Sequence, residues 1–552
     1  MSFTAALTRA DQSWGLGPRT MPPPGQSGMP CKSRAPAGLF LEEGLLDTTT
    51  NLGTDNLHSV DTVLHVTHYI LWVPLAAKPI QPIPTKLCRE KLSESTSIDD
   101  QNVVAVEVET VSKEKIKPAS PTPFHLRTYK VSLLDQLCPA AYVPFVFFYP
   151  NNETNALTDV FHQRSQRLKQ SLSETLTRFY PFAGRIEHDL HVECNDEGVL
   201  YVQARVNEQL SNFLSKPNNQ HIHKLLPYDL SSTDSISEPY VAMIQVNFFN
   251  CGGIAISICT SHKIIDGHSY ATFLQAWAAT ARGSSEQVNP RFIGQSLFPQ
   301  NPLLPKGSSM IIWPLIFKQG KCVTRRFVFN APALAALKAK AASPSAGVQK
   351  PSRVMAVTSL LWKCGMNTSR ARHGFQKPSV LSLAVNLRTR CLPPMPRHSI
   401  GNNFWGAIAQ CKPNTDVVLH SLVERLKEEL SRINSDLVEQ MKGEKGFLKV
   451  SEGLKEMGEV YSNPEADYFA VTSVCNASFY EADFGWGKPI WSCIGHGNTP
   501  PLANLTVLMD TKSGDGVEAW VTLSEEDMAI FERDPELLTF ASLDPSPLET
   551  AA

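Results

Sequence analysis

The stretch VAMIQVNFFNCGGIAISICTSH, residues 241–262, reads as two apolar strands turned back on each other at Gly252–Gly253. An apolar hairpin needs a cover, and the chain supplies one at once. Tyr270, Phe273, Leu274, Trp277 and Ala278 fall at the i, i+3, i+4, i+7, i+8 spacing of a helix with a buried face. Asp266 stands where an N-cap would start that helix, and Gly283 where a C-terminal cap would end it. Strands running directly into a covering helix predict an α+β chain.

The same mixture continues on both sides. RSQRLKQSLSETLTRFYPFAGR places Leu168, Leu172 and Leu176 on one helical face, with Pro181 as its stop. LYVQARV alternates like a strand. Further on, TRRFVFN and VLSLAVNL read as strands, and APALAALKAKAA as a helix before the apolar VMAVTSLLWKCGM. DVVLHSLVERLKEELSRINSDLVEQM reads as one long helix. The strand GVEAWVTL runs into Ser524, whose spacing to Asp527 resembles a capping box. Residues 284–322 are rich in Pro and turns and look like a crossover. The expected division is therefore two α+β domains of similar size, 104–283 and 323–545, joined by 284–322. Residues 1–103 have loop chemistry (MPPPGQSGMP, DTTTNLGTDN, KLSESTSIDD) and read as a poorly ordered extension.

A length of 552 residues is too great for one ordinary core, in line with that division. Lys+Arg 51 against Asp+Glu 53 leaves a net charge of −2, which gives no hint of nucleic acid or an anionic membrane as partner. Twelve cysteines without a Cys-x-x-Cys pair read as reduced thiols, not as a disulfide framework or zinc site. The most apolar early stretch, VLHVTHYILWVPLAA, is broken by His65, His68 and Pro74 and falls short of the roughly 20 residues that span a bilayer. A cytoplasmic protein for a small-molecule partner is the expectation. The first forty residues carry several basic groups and only Asp11 as an acid, which keeps an organellar transit segment as the alternative.

Three stretches carry candidate chemistry. In SICTSHKIIDGHSY, His262 ends the second apolar strand on the face of Ile254, Ile256 and Ile258. A neutral imidazole beside a loop is placed to accept a proton; a satisfied core histidine before a helix cap would do no chemistry. A metal site from His262, Asp266 and His268 lacks a further local ligand. Asp266 is either an N-cap alone or the partner of a buried arginine, Arg388 or Arg390 of AVNLRTRCLPPMPRHSIGNNFWG. In TSVCNASFYEADFGWGKPIW, Gly485 and Gly487 flank Trp486 in a tight loop, and Asp483 is placed to bond nearby amides.

HKIIDG at 262–267 and DFGWG at 483–487 together resemble the two signatures of the BAHD family of plant acyl-CoA-dependent acyltransferases. SLLDQL, LLWKC, VNLRTR, IGN and LMDTKSGDGVEAWV resemble further pieces of that family, and the likeness covers about residues 104–545. Its texture is similar to the alkaloid acetyltransferase branch. The resemblance implies two chloramphenicol-acetyltransferase-like domains with a channel at their interface. It also implies acyl-CoA as co-substrate, no permanently bound cofactor or metal, a small-molecule alcohol as acceptor, and a monomer without nucleic-acid or membrane partners.

For the residues, it implies His262 as general base, and Asp266 and Gly267 as a structural motif paired with Arg388 or Arg390. Asp483 is carried as a second proton acceptor, although its glycine-rich loop of Phe484, Gly485, Trp486 and Gly487 argues for a scaffold. Many members have Trp after the Thr-Ser before that loop. Here Val474 follows Thr472–Ser473 and offers no donor, so Thr472 or a backbone N–H is the oxyanion candidate. The expected reaction is acetyl transfer to a hydroxyl of an alkaloid-like metabolite. Amide formation by the same motifs, or a catalytically silent binding relative, are the alternatives.

Overall fold

The computed structural model describes residues 106–152, 157–188, 190–227, 240–304, 321–343, 350–413, 415, 417–495 and 504–549. The expected extension, 1–103, lies outside them, as does 305–320 of the crossover. Before the crossover come β1 (Val108–Ile116), β2 (Thr128–Lys130), β3 (Tyr142–Tyr149), β4 (Arg185–Glu187), β5 (His191–Glu193), β6 (Val199–Val206), β7 (Ala242–Phe249) and β8 (Ile254–Ser261). After it come β9 (Cys322–Phe329), β10 (Ser379–Asn386), β11 (Phe404–Cys411), β12 (Asp467–Ser473), β13 (Trp491–Ile494), β14 (Leu505–Asp510), β15 (Val517–Ser524) and β16 (Ser542–Leu543). The six longest helices among the described residues are α1 (Leu157–Arg178), α2 (Gly267–Ala281), α3 (Ala331–Ala341), α4 (Arg353–His373), α5 (Leu419–Arg432) and α6 (Gly446–Tyr461).

The apolar hairpin lies inside the first sheet, ordered β1-β6-β7-β8-β3-β13. β7 and β8 pair antiparallel with Ile244 opposite Ile258, and all their residues are buried. Both faces of β7 are buried, so Gln245 and Asn247, which alternate with apolar residues along it, are buried too, and the Gln245 amide donates to Asn247 Oδ1 at 2.8 Å. α1 and α2 pack together in this core: Leu168, Leu172 and Leu176 share it with Phe273 and Trp277. The Trp277 indole N–H donates to Leu168 O at 3.2 Å and Ser171 Oγ at 3.1 Å, so the buried donor is satisfied. α1 begins before the amphipathic stretch, at Leu157, and ends at Arg178; Pro181 sits in the following 3-10 turn, Tyr180–Ala183.

The second sheet is ordered β11-β10-β12-β14-β15-β9-β16, and β2-β5-β4 form a small third one. α4 and α5 share a second core with this larger sheet, through Leu360, Leu361, Leu422 and Leu426. The architecture is α+β with two large sheets, each with its helices.

Two sequence expectations need correction. The stretch read as one helix through Met441 breaks in two, with α5 ending at Arg432 and a separate short helix over Ser435–Met441. Asn434 caps the second piece by accepting the Leu437 N–H at 3.0 Å, and Arg390 takes the Leu430 and Ile433 carbonyls that close the first. Residues 323–545 also do not all stay with the second sheet. β13 joins the first, beside β3, with Trp491 opposite Phe148 and stacked on it at 5.3 Å. The open edge of β3 is apolar, and β13, buried along its whole length, closes it. Among the described residues, no helix is long and apolar enough to cross a membrane.

Candidate active site

His262 follows β8 directly and extends its ladder, its N–H donating to Ala141 O at 2.8 Å. The ring lines a cavity of about 330 Å³ whose walls come from both large sheets, with Tyr142 and Phe145 of β3 facing Ala384 of β10, Phe404 of β11 and Thr472 of β12. Its Nδ1 lies 3.1 Å from Asn402 Oδ1. Burial lowers the pKa of the imidazole, and its own main-chain carbonyl, Asp266, Asn402 and Asp135 pull against that shift. The balance favours a neutral ring, the form that accepts a proton.

Asp266 turns out to be both things the sequence allowed. As N-cap of α2 it accepts the Ser269 N–H at 2.9 Å. Its two oxygens also take a bidentate pair from Arg388, at 2.7 and 3.0 Å, and the Asn403 N–H at 3.1 Å. Burial would raise this carboxyl, but the Arg388 guanidinium holds it below the ordinary carboxylate value. Arg388 spends its remaining N–H groups on Ser399 O, Gly401 O and Asn386 Oδ1, so the buried cation is fully used. The open choice of arginine is thereby decided: Arg390 lies on the carbonyls at the end of α5 instead. His268 Nε2 is 2.7 Å from Arg397 O, and with Asp266 committed to Arg388 the three residues do not converge as metal ligands.

Gly267 opens α2 at a point of close approach, where a Cβ would come within 2.7 Å of Val474 Cγ1. Val474 therefore fills the space against the helix start. Its N–H donates to Leu508 O at 2.8 Å, which removes it from the oxyanion candidates. Thr472 lines the cavity, as does its neighbour Ser473, for which the sequence predicts no role.

Asp483 is not brought to His262. It lies beside the far end of α2, where Arg282 donates to its main-chain oxygen at 3.0 Å, while Asp266 caps the near end. A helix of 15 residues is about 22 Å long, too far for one proton relay. The Asp483 carboxylate accepts the N–H groups of Gly485 at 2.7 Å and Gly487 at 3.0 Å. Those glycines have φ of +103° and +107°, which side-chain-bearing residues seldom adopt. Phe484 meets Trp277 edge-to-face at 4.9 Å, and Trp486 stacks on Phe484 with Arg164 over its ring. The loop staples α2 to the sheet, with the Asp483 carboxylate as its clasp and outside the lining of the cavity that holds His262.

The sequence alone marks no role for Asn402 or Asp135. Asn402 donates to Asp135 Oδ1 from its backbone N–H at 2.7 Å and from its side-chain amide at 2.9 Å. One local signal was present for Asp135: Ser132-Leu-Leu-Asp135 has capping-box spacing, and the box is formed.

Residues 106–538 match the Transferase family. The chain belongs to the BAHD acyltransferase family. It is 43% identical over 455 residues to epi-neemfruitin B 7-O-acetyltransferase of Melia azedarach, covering 80% of this chain and 100% of that one. Vinorine synthase of Rauvolfia serpentina is 38% identical over 447 residues, covering 80% and 99%. The crystal structure of vinorine synthase superposes with a TM-score of 0.67 over 79% of this chain and 99% of that one. The F. sporotrichioides TRI101 structure with Coenzyme A and T-2, at 17% identity and TM-score 0.58, shares the fold. This BAHD chain is thus an acyltransferase with the family's two-domain α+β fold.

Proposed function

We propose that this BAHD acyltransferase moves an acetyl group from acetyl-CoA to a hydroxyl of a polycyclic plant metabolite, with His262 as general base. The observation that carries this is the imidazole on the wall of a cavity walled by both sheets, its Nδ1 side occupied by Asn402. With the proton on Nδ1, the lone pair is on Nε2. Nε2 takes the acceptor proton as the hydroxyl oxygen attacks the thioester carbonyl. Collapse of the adduct breaks the C–S bond, and the imidazolium returns the proton to the CoA thiolate. The Thr472 hydroxyl is the oxyanion donor of this reading, with Ser473 beside it. Asp483 and residues 484–487 serve as scaffold.

The names of relatives support an alcohol acceptor. One acetylates epi-neemfruitin B at a 7-hydroxyl, and another is stemmadenine O-acetyltransferase of Catharanthus roseus. Asp266 is the one carboxylate among the described residues lining the cavity, and Arg388 already pairs with it. That favours a neutral polycyclic alcohol over a protonated alkaloid amine. We further propose a cytoplasmic monomer; the free cysteines of the described residues support a reducing compartment.

The test is release of CoA thiol, with product masses, from the purified chain given acetyl-, malonyl- or aromatic acyl-CoA. Acceptors are neutral polycyclic alcohols, alkaloid alcohols and primary amines. Acetylated neutral alcohol is the expected product. Turnover of amines alone would replace this reading by amide formation, and no release with any pair would leave a silent binding relative.

A further inference from the structure

We propose that Asp135 is a positioning residue for acyl transfer, acting through Asn402 to hold one tautomer and one orientation of the His262 ring. The inference rests on His262 being the base. Asp135 lies in the one-turn helix Leu133–Gln136 and is fully buried. Its carboxylate accepts four hydrogen bonds, all from neutral donors. Two come from Ser132, the backbone N–H at 2.9 Å and the hydroxyl at 2.8 Å, and both reach Oδ2. These belong to the helix cap and would suffice for it. The other two come from Asn402, which is 267 positions away, and both reach Oδ1. Every neighbour of the two oxygens is placed to donate, so the site calls for the ionised form even though burial pushes this carboxyl up.

The consequence runs through the amide. The two ends of an Asn side chain are told apart by their partners. Asn402 Nδ2 faces three acceptors: Asp135 Oδ1 at 2.9 Å, His262 O at 2.8 Å and Lys263 O at 3.1 Å. Oδ1 is therefore the end turned to His262 Nδ1. An oxygen there accepts, so Nδ1 carries the hydrogen and Nε2 keeps the lone pair. Asp135 grips Asn402 by both its main chain and its side chain, and Asn402 grips the ring and the carbonyls of the base's own segment. The next amide, Asn403 N–H, goes to Asp266. The turn bearing Asn402 is thus strung between two buried carboxylates.

The experiment compares Asp135→Asn, Asn402→Ala, their double mutant and Asn402→Asp with the unmodified chain and with His262→Ala. Thermal melts check folding, and kcat, KM and pH–rate profiles are measured with acetyl-CoA and the acceptor turned over. Asp135→Asn and Asn402→Ala should each lower kcat about tenfold or more while KM for acetyl-CoA stays within about twofold, because the loss falls on the transition state. Asp135→Asn should add less than about twofold on top of Asn402→Ala, since it acts through that residue. Asn402→Asp sets a carboxylate beside Nδ1, and the acid limb of kcat should move up by about one pH unit. The other charged and titratable neighbours of the ring keep their partners in all variants: Asp266 with Arg388, His268 with Arg397 O, and Lys263 Nζ on Cys138 O.

A folded Asp135→Asn with kcat within about twofold of the unmodified chain overturns the proposal, as do fully multiplicative losses in the double mutant. If Asp135→Asn does not fold, Asn402→Ala decides: since Asp135 acts only through that residue, a tenfold loss of kcat at unchanged KM for acetyl-CoA supports the relay, and a loss under about twofold overturns it. Full turnover by His262→Ala would instead remove the base reading on which all of this stands.

Discussion

A histidine base works only while its ring is neutral, and burial moves His262 in that direction. The acid limb of kcat should therefore fall below about pH 6.5, the ordinary imidazole value, with a plateau at neutral pH. His262→Ala should lower kcat by roughly 10²–10⁴-fold, and His262→Gln about as much, because an amide cannot take the proton. His268→Ala should be mild; if it proved the damaging change, the base has been assigned to the wrong ring. Asp266 answers to stability. Its pKa is lowered in the folded chain by Arg388, so its contribution is full above the unfolded value near pH 4 and fades as pH falls through the folded one. Asp266→Asn keeps the cap but leaves the buried Arg388 without its counter-charge, which should cost about 3–5 kcal/mol. An unchanged melting temperature would mean that the cap is all Asp266 provides.

At the scale of elements, α2 ties the chemistry at its start to the glycine-rich loop at its end. Gly267→Ala would push a methyl to 2.7 Å from Val474 Cγ1. Overpacking of this kind costs about 1–3 kcal/mol, and here the displaced backbone adjoins Asp266. Val474→Ala should relieve most of that loss; a double mutant no better than Gly267→Ala in melts and kcat would show that the contact is not the cause. At the other end, Asp483→Ala removes the acceptor of two loop amides and should cost about 1–3 kcal/mol of stability while kcat holds. A kcat loss comparable to that of His262→Ala, at unchanged stability, would return Asp483 to the chemistry.

Across the whole molecule, the two sheets are laced together rather than joined end to end. β13 leaves the second half to complete the first sheet, and Arg326 of β9 pairs with Glu518 at 3.2 Å while lying over the Trp491 ring. A cavity with walls from both sheets depends on that lacing, since neither sheet alone would hold its shape. Removal of residues 1–103, by contrast, should leave turnover intact and stability within about 2 kcal/mol, because the family match begins at 106 and β1 at Val108. Chemical denaturation of the shortened chain, with kcat beside it, measures both; a larger loss would make that segment part of the core.

What could be read without coordinates was local. The periodicity of Phe273, Leu274 and Trp277, the cap at Asp266 and the turn at Gly252–Gly253 depend on residues a few positions apart, and the chain folds there as its pattern says. Asn434 was equally legible as a cap within RINSD, yet the amphipathic run on either side of it hid the break. Arg388 and Arg390 look alike in sequence, and only the course of the turn after β10 sends one to Asp266 and the other to the end of α5. The grip of Asp135 on Asn402 and the crossing of β13 had no local trace at all. Such contacts are chosen by which distant surfaces can close on each other while satisfying every buried polar group. That condition belongs to the assembled structure, and no short window of the sequence contains it.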